Sequence, residues 1–146
     1  MNSSRPIRVL TLLMASTLIA QDAKVTPLMS KDLAEFPGKE GLMITVVYPP
    51  GASDPIHRHN AYAFLYVLEG SVVMQLKGGK EITLTPGQTF YEGPNDIHTV
   101  GRNASTTKPA KFIVVLLKDK GAPVLLPVNS TSASASASPK FNSGKK

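Results

Sequence analysis

Apolar and polar residues alternate along most of the chain in short runs, and turn-forming residues separate one run from the next. β-branched and aromatic residues are frequent in the runs, while Gly78-Gly79 and Pro86-Gly87 lie between them. Short strands with a turn about every ten residues are typical of sandwiches and barrels. The pattern therefore predicts an all-β domain with strands at 42–48, 62–68, 71–76, 81–84, 89–92, 97–102, 111–118 and 124–128.

One segment near the start of this domain fits two kinds of element. Residues 28–36 are compatible with a helical turn or with an early edge strand. No long apolar period of 3.6 residues occurs after residue 20, so the sequence predicts no extended helix in the domain.

The two ends of the chain differ in composition from the strand-forming part. Residues 1–20 contain Arg5 and Arg8 followed by an apolar run of twelve residues, the pattern of a cleaved signal peptide. A membrane span needs about 20 apolar residues, so we expect export to the periplasm or the medium, with an uncleaved anchor or a buried helix as alternatives. Residues 130–146 are rich in Ser, Ala and Lys and are predicted to form a disordered tail. These boundaries leave 21–129 as one domain.

The positive charge of the chain is concentrated at its ends. The whole sequence has a formal net charge of +6, but residues 21–129 contain eleven Lys and Arg against ten Asp and Glu. Nucleic-acid binding requires a basic stripe or a clustered basic face. The domain has neither, so we expect no nucleic-acid partner.

The chain contains three histidines, and two of them have the spacing of a strand. Side chains at positions i and i+2 of a strand point the same way, about 6.5 Å apart along the backbone, so His57 and His59 can be directed at one point. His98 begins a later predicted strand that could supply a third imidazole. Three protein ligands leave coordination positions open, as in catalytic metal sites. Taken alone, the pair also fits ordinary interior or surface histidines.

The segment around these histidines resembles the first motif of the cupin family. Its residues in register with that motif are Gly51, His57, His59 and Gly70. Pro94 and His98 match the proline and histidine of the second cupin motif. The resemblance implies a double-stranded β-helix, or jelly-roll barrel, over most of residues 28–128. It also implies a divalent transition metal held by His57, His59 and His98, with Fe(II) favoured and Cu, Zn, Ni or Mn as alternatives.

Two positions depart from the family pattern. Ala63 occupies the position of the glutamate ligand of the first motif, and Arg102 occupies the asparagine position of the second, with Asn103 one residue later. The resemblance therefore implies three histidine ligands without the usual glutamate. A metal-free barrel is the alternative, in which the site is a relic.

Two other charged residues are candidates for a catalytic role. Glu92 precedes Pro94 on a strand expected beside the site, where it would be a ligand, an acid or base, or a solvent-facing residue. Arg102 lies four residues after His98, so the strand period places it on the histidine face unless a bulge intervenes. There it could bind a carboxylate or enolate ligand.

Three aromatic residues alternate with aliphatic ones around the glutamate position. If Ala63 faces the metal, Tyr62, Phe64 and Tyr66 face the other way, either between the sheets or at a dimer interface. Exposed sheet edges need covering, so we expect a homodimer.

These observations support three classes of function. The first is a metal-dependent dioxygenase that acts on a small enolic, phenolic or carboxylate substrate. The second is a non-enzymatic module that binds a small molecule or a metal, and the third is a metal-free structural barrel. The fold does not choose between them, because one fold hosts many functions.

Overall fold

The computed structural model describes residues 22–128. All secondary-structure elements in this range are β-strands. The predicted signal peptide (1–20) and tail (130–146) lie outside the described residues. Within those residues, no helix is long and apolar enough to cross a membrane. The strands are β1 (Lys24–Asp32), β2 (Lys39–Tyr48), β3 (His57–Arg58), β4 (Ala61–Glu69), β5 (Val72–Leu76), β6 (Ile82–Leu84), β7 (Thr89–Glu92), β8 (His98–Asn103), β9 (Ala110–Asp119) and β10 (Leu126–Pro127).

The strands form two antiparallel sheets of five strands each. The first sheet has the order β1-β2-β9-β4-β7, and the second has the order β10-β3-β8-β5-β6. The chain passes from one sheet to the other at most of its turns, so most strands that are neighbours in a sheet are not consecutive in sequence. The prediction of one all-β domain is confirmed.

The segment for which the sequence left two alternatives contains an edge strand. β1 pairs with β2 and extends to Asp32, and a turn then leads into β2 through hydrogen bonds between Leu33, Phe36 and Lys39. The edge-strand alternative is therefore right for the first part of residues 28–36.

Strand β4 shows how side-chain alternation separates the inside of the barrel from its surface. Its aliphatic residues Ala61, Ala63, Leu65 and Val67 are buried. The aromatic residues between them point outward from the first sheet and are 46–51% exposed. The alternative that these aromatic residues pack between the sheets is therefore wrong, because the small and aliphatic residues of β4 occupy the inner face.

The core lies between the two sheets. Its buried apolar side chains include Ile44, Val46, Phe112 and Leu116 from the first sheet and Val72 and Met74 from the second. Full burial of one such side chain contributes about 1.5–3 kcal/mol.

The turn after β4 requires a glycine. Gly70 has a φ of 70°, a left-handed conformation that side chains with a Cβ disfavour. A Cβ at Gly70 would also lie 2.5 Å from the carbonyl oxygen of Pro109. The close approach of this turn to the start of β9 therefore excludes any larger residue.

Candidate metal centre

Two histidines from the short strand β3 and the residue after it point into the barrel. His57 and His59 are buried, and each fixes its ring through Nδ1. The Nδ1 of His57 donates to the carbonyl oxygen of Pro55 at 2.8 Å, and the Nδ1 of His59 donates to that of Val124. Because a carbonyl only accepts, these bonds place the protons on Nδ1 and leave both Nε2 atoms unprotonated in the neutral rings.

The two unprotonated nitrogens face each other. The Nε2 atoms of His57 and His59 lie 3.2 Å apart. Two lone pairs at this separation repel one another unless a cation or a proton lies beside both. The carbonyl partners of the Nδ1 atoms are the kind of interaction that orients metal-binding histidines.

His98 joins the same cluster from the neighbouring strand. It pairs directly with His57 in the β3–β8 register, and the two ring centres are 4.8 Å apart. Neither nitrogen of His98 has a hydrogen-bond partner among the described residues, although the side chain is buried. The structure therefore brings all three predicted histidines together.

Glu92, at the end of β7, supplies a carboxylate to this cluster. Its side chain is buried, and Oε2 lies 3.7 Å from Nε2 of His59 and 3.4 Å from Nδ1 of His98. The solvent-facing alternative for Glu92 is therefore wrong. Its orientation follows from the β4–β7 register, in which Glu92 is directly opposite Ala63, and directly opposed residues share a face of the sheet. Glu92 thus brings its carboxylate from the strand beside Ala63.

The donor set fits a divalent cation. One ligand atom each from His57, His59 and Glu92 lies within 4.8 Å of the other two, and His98 borders this group. Oε2 of Glu92 and both ring nitrogens of His98 are buried without a partner within residues 22–128. A buried polar atom left unpaired costs about 1–3 kcal/mol. A metal ion at this point would satisfy the Glu92 oxygen and one ring nitrogen of His98, and imidazole with carboxylate is a common ligand set for transition metals.

Burial also sets the protonation of the cluster. Desolvation, with a smaller contribution from the charges of Asp96 and Asp54, raises the pKa of Glu92 to about 7. Desolvation, reinforced by His57, lowers the pKa of His98 to about 4. The pKa of His59 is also lowered, mainly by burial. Neutral imidazoles are the form that binds metal, so at neutral pH these two rings are ready to act as ligands.

Arg102 does not reach the centre. A register shift between Gln75 and Leu76 of β5, opposite the start of β8, reverses the alternation that the sequence predicted. Arg102 consequently points to solvent and donates to Glu81 at 3.3 Å. Asn103 takes the inward position and donates to the carbonyl oxygens of Tyr48, Pro49 and Lys108. It therefore holds two neighbouring loops in place.

The cluster lies in a cavity of about 300 Å³ between the sheets. Most of the wall is apolar, with Ile44, Val46, Leu65, Met74, Phe112, Val114 and Leu116 among its residues. Val25, Val124 and Leu125 line it from the two terminal segments of the described chain. The arrangement can hold a small molecule against the metal ligands.

Sequence reasoning missed two polar residues of the cavity. Tyr48 and Asp54 both line it, and the tyrosine hydroxyl donates to the Asp54 carboxylate. Burial raises the pKa of both groups, with Asp54 adding to the shift of Tyr48. Neither residue belongs to a recognisable motif, because Tyr48 ends a predicted strand and Asp54 follows in the next turn.

A family comparison agrees with the geometry of the site. The model of the Cupin domain matches residues 44–116, half of the chain. The chain belongs to the cupin family. No curated protein sequence matches this cupin.

Solved structures resemble this cupin at low sequence identity. A protein with a double-stranded β-helix domain from Klebsiella pneumoniae is 15% identical with a TM-score of 0.57, covering 71% of this chain and 84% of its own. An oxalate oxidase bound to the substrate analogue glycolate is 25% identical with a TM-score of 0.55, covering 73% and 55%. A DMSP lyase from Ruegeria pomeroyi is 20% identical with a TM-score of 0.52, covering 60% and 42%.

The coverage limits what these similarities imply. This cupin spans about half of the oxalate oxidase chain and less than half of the DMSP lyase chain. The structures share the double-stranded β-helix fold, which confirms the predicted architecture. Their activities are properties of those larger proteins.

Proposed function

We propose that this cupin binds one divalent transition metal through His57, His59, His98 and Glu92 and acts as an oxygenase on a small enolic, phenolic or carboxylate substrate. One observation carries the proposal: buried, unpartnered ligand atoms converge at the wall of an apolar cavity. Buried polar groups without partners are rare in folded proteins and call for an explanation. A metal ion would account for the Glu92 oxygen and one nitrogen of His98 together.

The metal would supply a centre at which dioxygen and an oxygen atom of the substrate bind side by side. Fe(II) is favoured, with Cu, Zn, Ni and Mn as alternatives, because imidazole nitrogen accepts several of these ions. Four protein ligands leave two positions open on an ion that prefers six. The proposal includes export, which rests on the charged and apolar pattern of residues 1–20.

The other residues around the cavity would orient the ligands, balance charge and exclude water. The carbonyl groups of Pro55 and Val124 orient the rings of His57 and His59. The Glu92 carboxylate offsets part of the metal charge, and the apolar walls exclude water from the reacting groups. Arg102 lies outside the cavity and has no part in this arrangement.

A non-enzymatic binding module is the second candidate function. This candidate is favoured by the shortage of a carboxylate that could act as a catalytic base. Glu92 would be used as a metal ligand, and Asp54, the other carboxylate of the described lining, is already bonded to Tyr48. Such a protein would hold the same metal and a small molecule without turning it over.

Metal analysis of the full chain, prepared without a polyhistidine tag, tests both candidates. We expect close to one equivalent of metal in the wild type and in Glu81→Ala, and none in His57→Ala or His98→Ala. Dioxygen uptake with a panel of small enols and phenols then separates an oxygenase from a binding module. Absence of bound metal after reconstitution with iron, copper, zinc, nickel and manganese would reject both metal-dependent functions.

We also propose that a second copy of the chain covers the outer face of the first sheet. This face carries the exposed apolar side chains Tyr62, Phe64, Tyr66, Tyr91 and Leu117. Four strands of nine or ten residues and one of four residues span roughly 20 by 30 Å, comparable to the about 800 Å² that each partner buries in a stable interface. Exposed apolar patches of several hundred Å² often mark protein–protein contact sites.

Light scattering after gel filtration tests this dimer. We expect the wild type at about twice the 15.6 kDa of one chain, and Phe64→Lys at the monomer mass, because the new charges would face each other across the interface. Ile82→Lys is the matched control, since Ile82 is an exposed apolar residue of the second sheet. A monomeric wild type would refute the dimer.

A further inference from the structure

The cavity contains a polar pair that the metal centre does not use. Tyr48 is 1% exposed and packs its ring edge against Phe112, with the ring centres 5.0 Å apart. Its hydroxyl donates to Oδ2 of Asp54. The backbone N–H of Asp54 donates to the carbonyl oxygen of Gly101 at 2.8 Å, which fixes the main chain at Asp54.

This pair lies beside the metal cluster. A Cβ at Gly101 would be 3.1 Å from the Tyr48 hydroxyl and 3.0 Å from Cε1 of His98. The Tyr48 hydroxyl and the His98 ring therefore both lie next to Gly101. A small molecule in the cavity can contact both groups at once.

The carboxylate of Asp54 retains a free acceptor. Tyr48 bonds to Oδ2, and no side chain or backbone group within residues 22–128 donates to Oδ1. Asp54 is partly exposed and lines the cavity. Because a carboxylate is an acceptor only, a ligand group at this point has to be a hydrogen-bond donor.

The charges around the cavity further restrict the chemical class of the ligand. Its described lining contains two carboxylates, Asp54 and Glu92, and no lysine or arginine. A ligand carboxylate could be neutralised at the metal, but a second one, or one turned toward Asp54, would meet like charge. The volume of about 300 Å³ is at the small end of ligand sites.

We infer that Tyr48 and Asp54 form a recognition site for the hydroxyl group of a small, uncharged and mainly apolar ligand. The ligand would have two polar ends. Binding of one end to the metal rests on the proposed function, whereas binding of the hydroxyl at the other end depends on Tyr48 and Asp54 alone. Such a site removes simple carboxylates from the proposed substrate class and keeps enols and phenols.

Phenol and toluene test this site, because they have nearly the same shape and differ in one hydroxyl. Both are titrated by NMR into the full chain, once after chelator treatment and once loaded with zinc. The measured quantity is the toluene dissociation constant divided by the phenol dissociation constant. We expect this ratio to fall about tenfold in Tyr48→Phe/Asp54→Leu, since a hydrogen bond to a charged acceptor is lost.

The double variant replaces a bonded polar pair by apolar groups of similar shape, which leaves no orphaned hydroxyl in the core. Tyr91→Phe, on the outer face of the first sheet, is the matched control and should keep the wild-type ratio. Asp54→Asn provides a milder variant if the double variant does not fold, and it should also lower the ratio.

The outcomes distinguish this inference from the proposed function. An unchanged ratio in the folded variants, or failure of the wild type to bind either compound, would overturn the recognition site. If the wild type does not bind zinc but the ratio still falls from wild type to the double variant, the recognition site is supported and the metal-dependent function is rejected. Zinc content measured in the same samples separates these cases.

Discussion

Replacing Glu92 with alanine is expected to lower the metal affinity of the protein by about a hundredfold or more. Loss of a residue that only supports a ligand typically costs 10–100-fold, and Glu92 places its carboxylate oxygen within the cluster itself. A competition titration with a chelating dye and zinc or cobalt would measure the change. Glu81→Ala is the control, because this carboxylate is exposed and, among the described residues, pairs with Arg102 alone.

The register of the first sheet allows a stricter test of the same role. Ala63 is buried, directly opposite Glu92, and corresponds to the glutamate position of the family motif. Adding Ala63→Glu to Glu92→Ala should therefore return the carboxylate to the cluster and restore most of the affinity. Wild-type affinity in Glu92→Ala would show that the carboxylate is not a ligand. A double variant no better than Glu92→Ala would show that the two positions are not equivalent.

Local sequence was sufficient to predict most of the strands. The alternation at 62–68 and 111–118 reflects a period of two that each strand carries in its own residues, and both segments lie within observed strands, β4 and β9. Residues 28–36 could not be decided in advance because β1 is an edge strand exposed along its whole length. Such a strand has no buried face to impose a pattern.

The candidate site was predictable only where its geometry is local. His57 and His59 share a face because they are two residues apart. The inward direction of Glu92 depends on which residue of β4 lies opposite, and that pairing joins distant parts of the chain. Arg102 was assigned to the wrong face because the bulge that turns it outward depends on the partner strand β5. Register and bulges between distant strands leave little trace in either strand alone.

Replacing Lys118 with methionine is expected to lower the Tm by about 10 °C or more, because it leaves a buried carboxylate without its counter-ion. Lys118 is directly opposite Glu40 in the β2–β9 register, and its Nζ donates to Oε1 at 2.6 Å. The same ammonium group donates to the carbonyl oxygens of Asp119 and Ala122 and so holds the turn after β9. Thermal unfolding followed by circular dichroism would measure the effect.

A neighbouring, exposed ion pair provides the control for the effect of burial on the Glu40–Lys118 ion pair. Lys39 and Asp119 form an ion pair at 2.5 Å at the same end of the sheet, but their side chains are 50% and 64% exposed. Exposed pairs contribute little, so Lys39→Met should leave the Tm almost unchanged. Glu40→Leu/Lys118→Met should recover much of the loss, since no charge is then buried alone. Equal effects of Lys39→Met and Lys118→Met would contradict this account.

The pH dependence of the free energy of unfolding is an independent test of the Glu40–Lys118 ion pair. Hydrogen bonds from Lys118, Ser30 and the backbone of Gly121 lower the pKa of Glu40 from 4.5 to about 2. A carboxyl whose pKa is lower in the folded state stabilises the protein fully above the unfolded value, and this stability is lost as the pH falls through the folded value. Wild-type stability should therefore decline between pH 4.5 and 2 more steeply than that of Glu40→Leu/Lys118→Met. Parallel curves would show that the buried carboxylate is not held in its ionised form by Lys118.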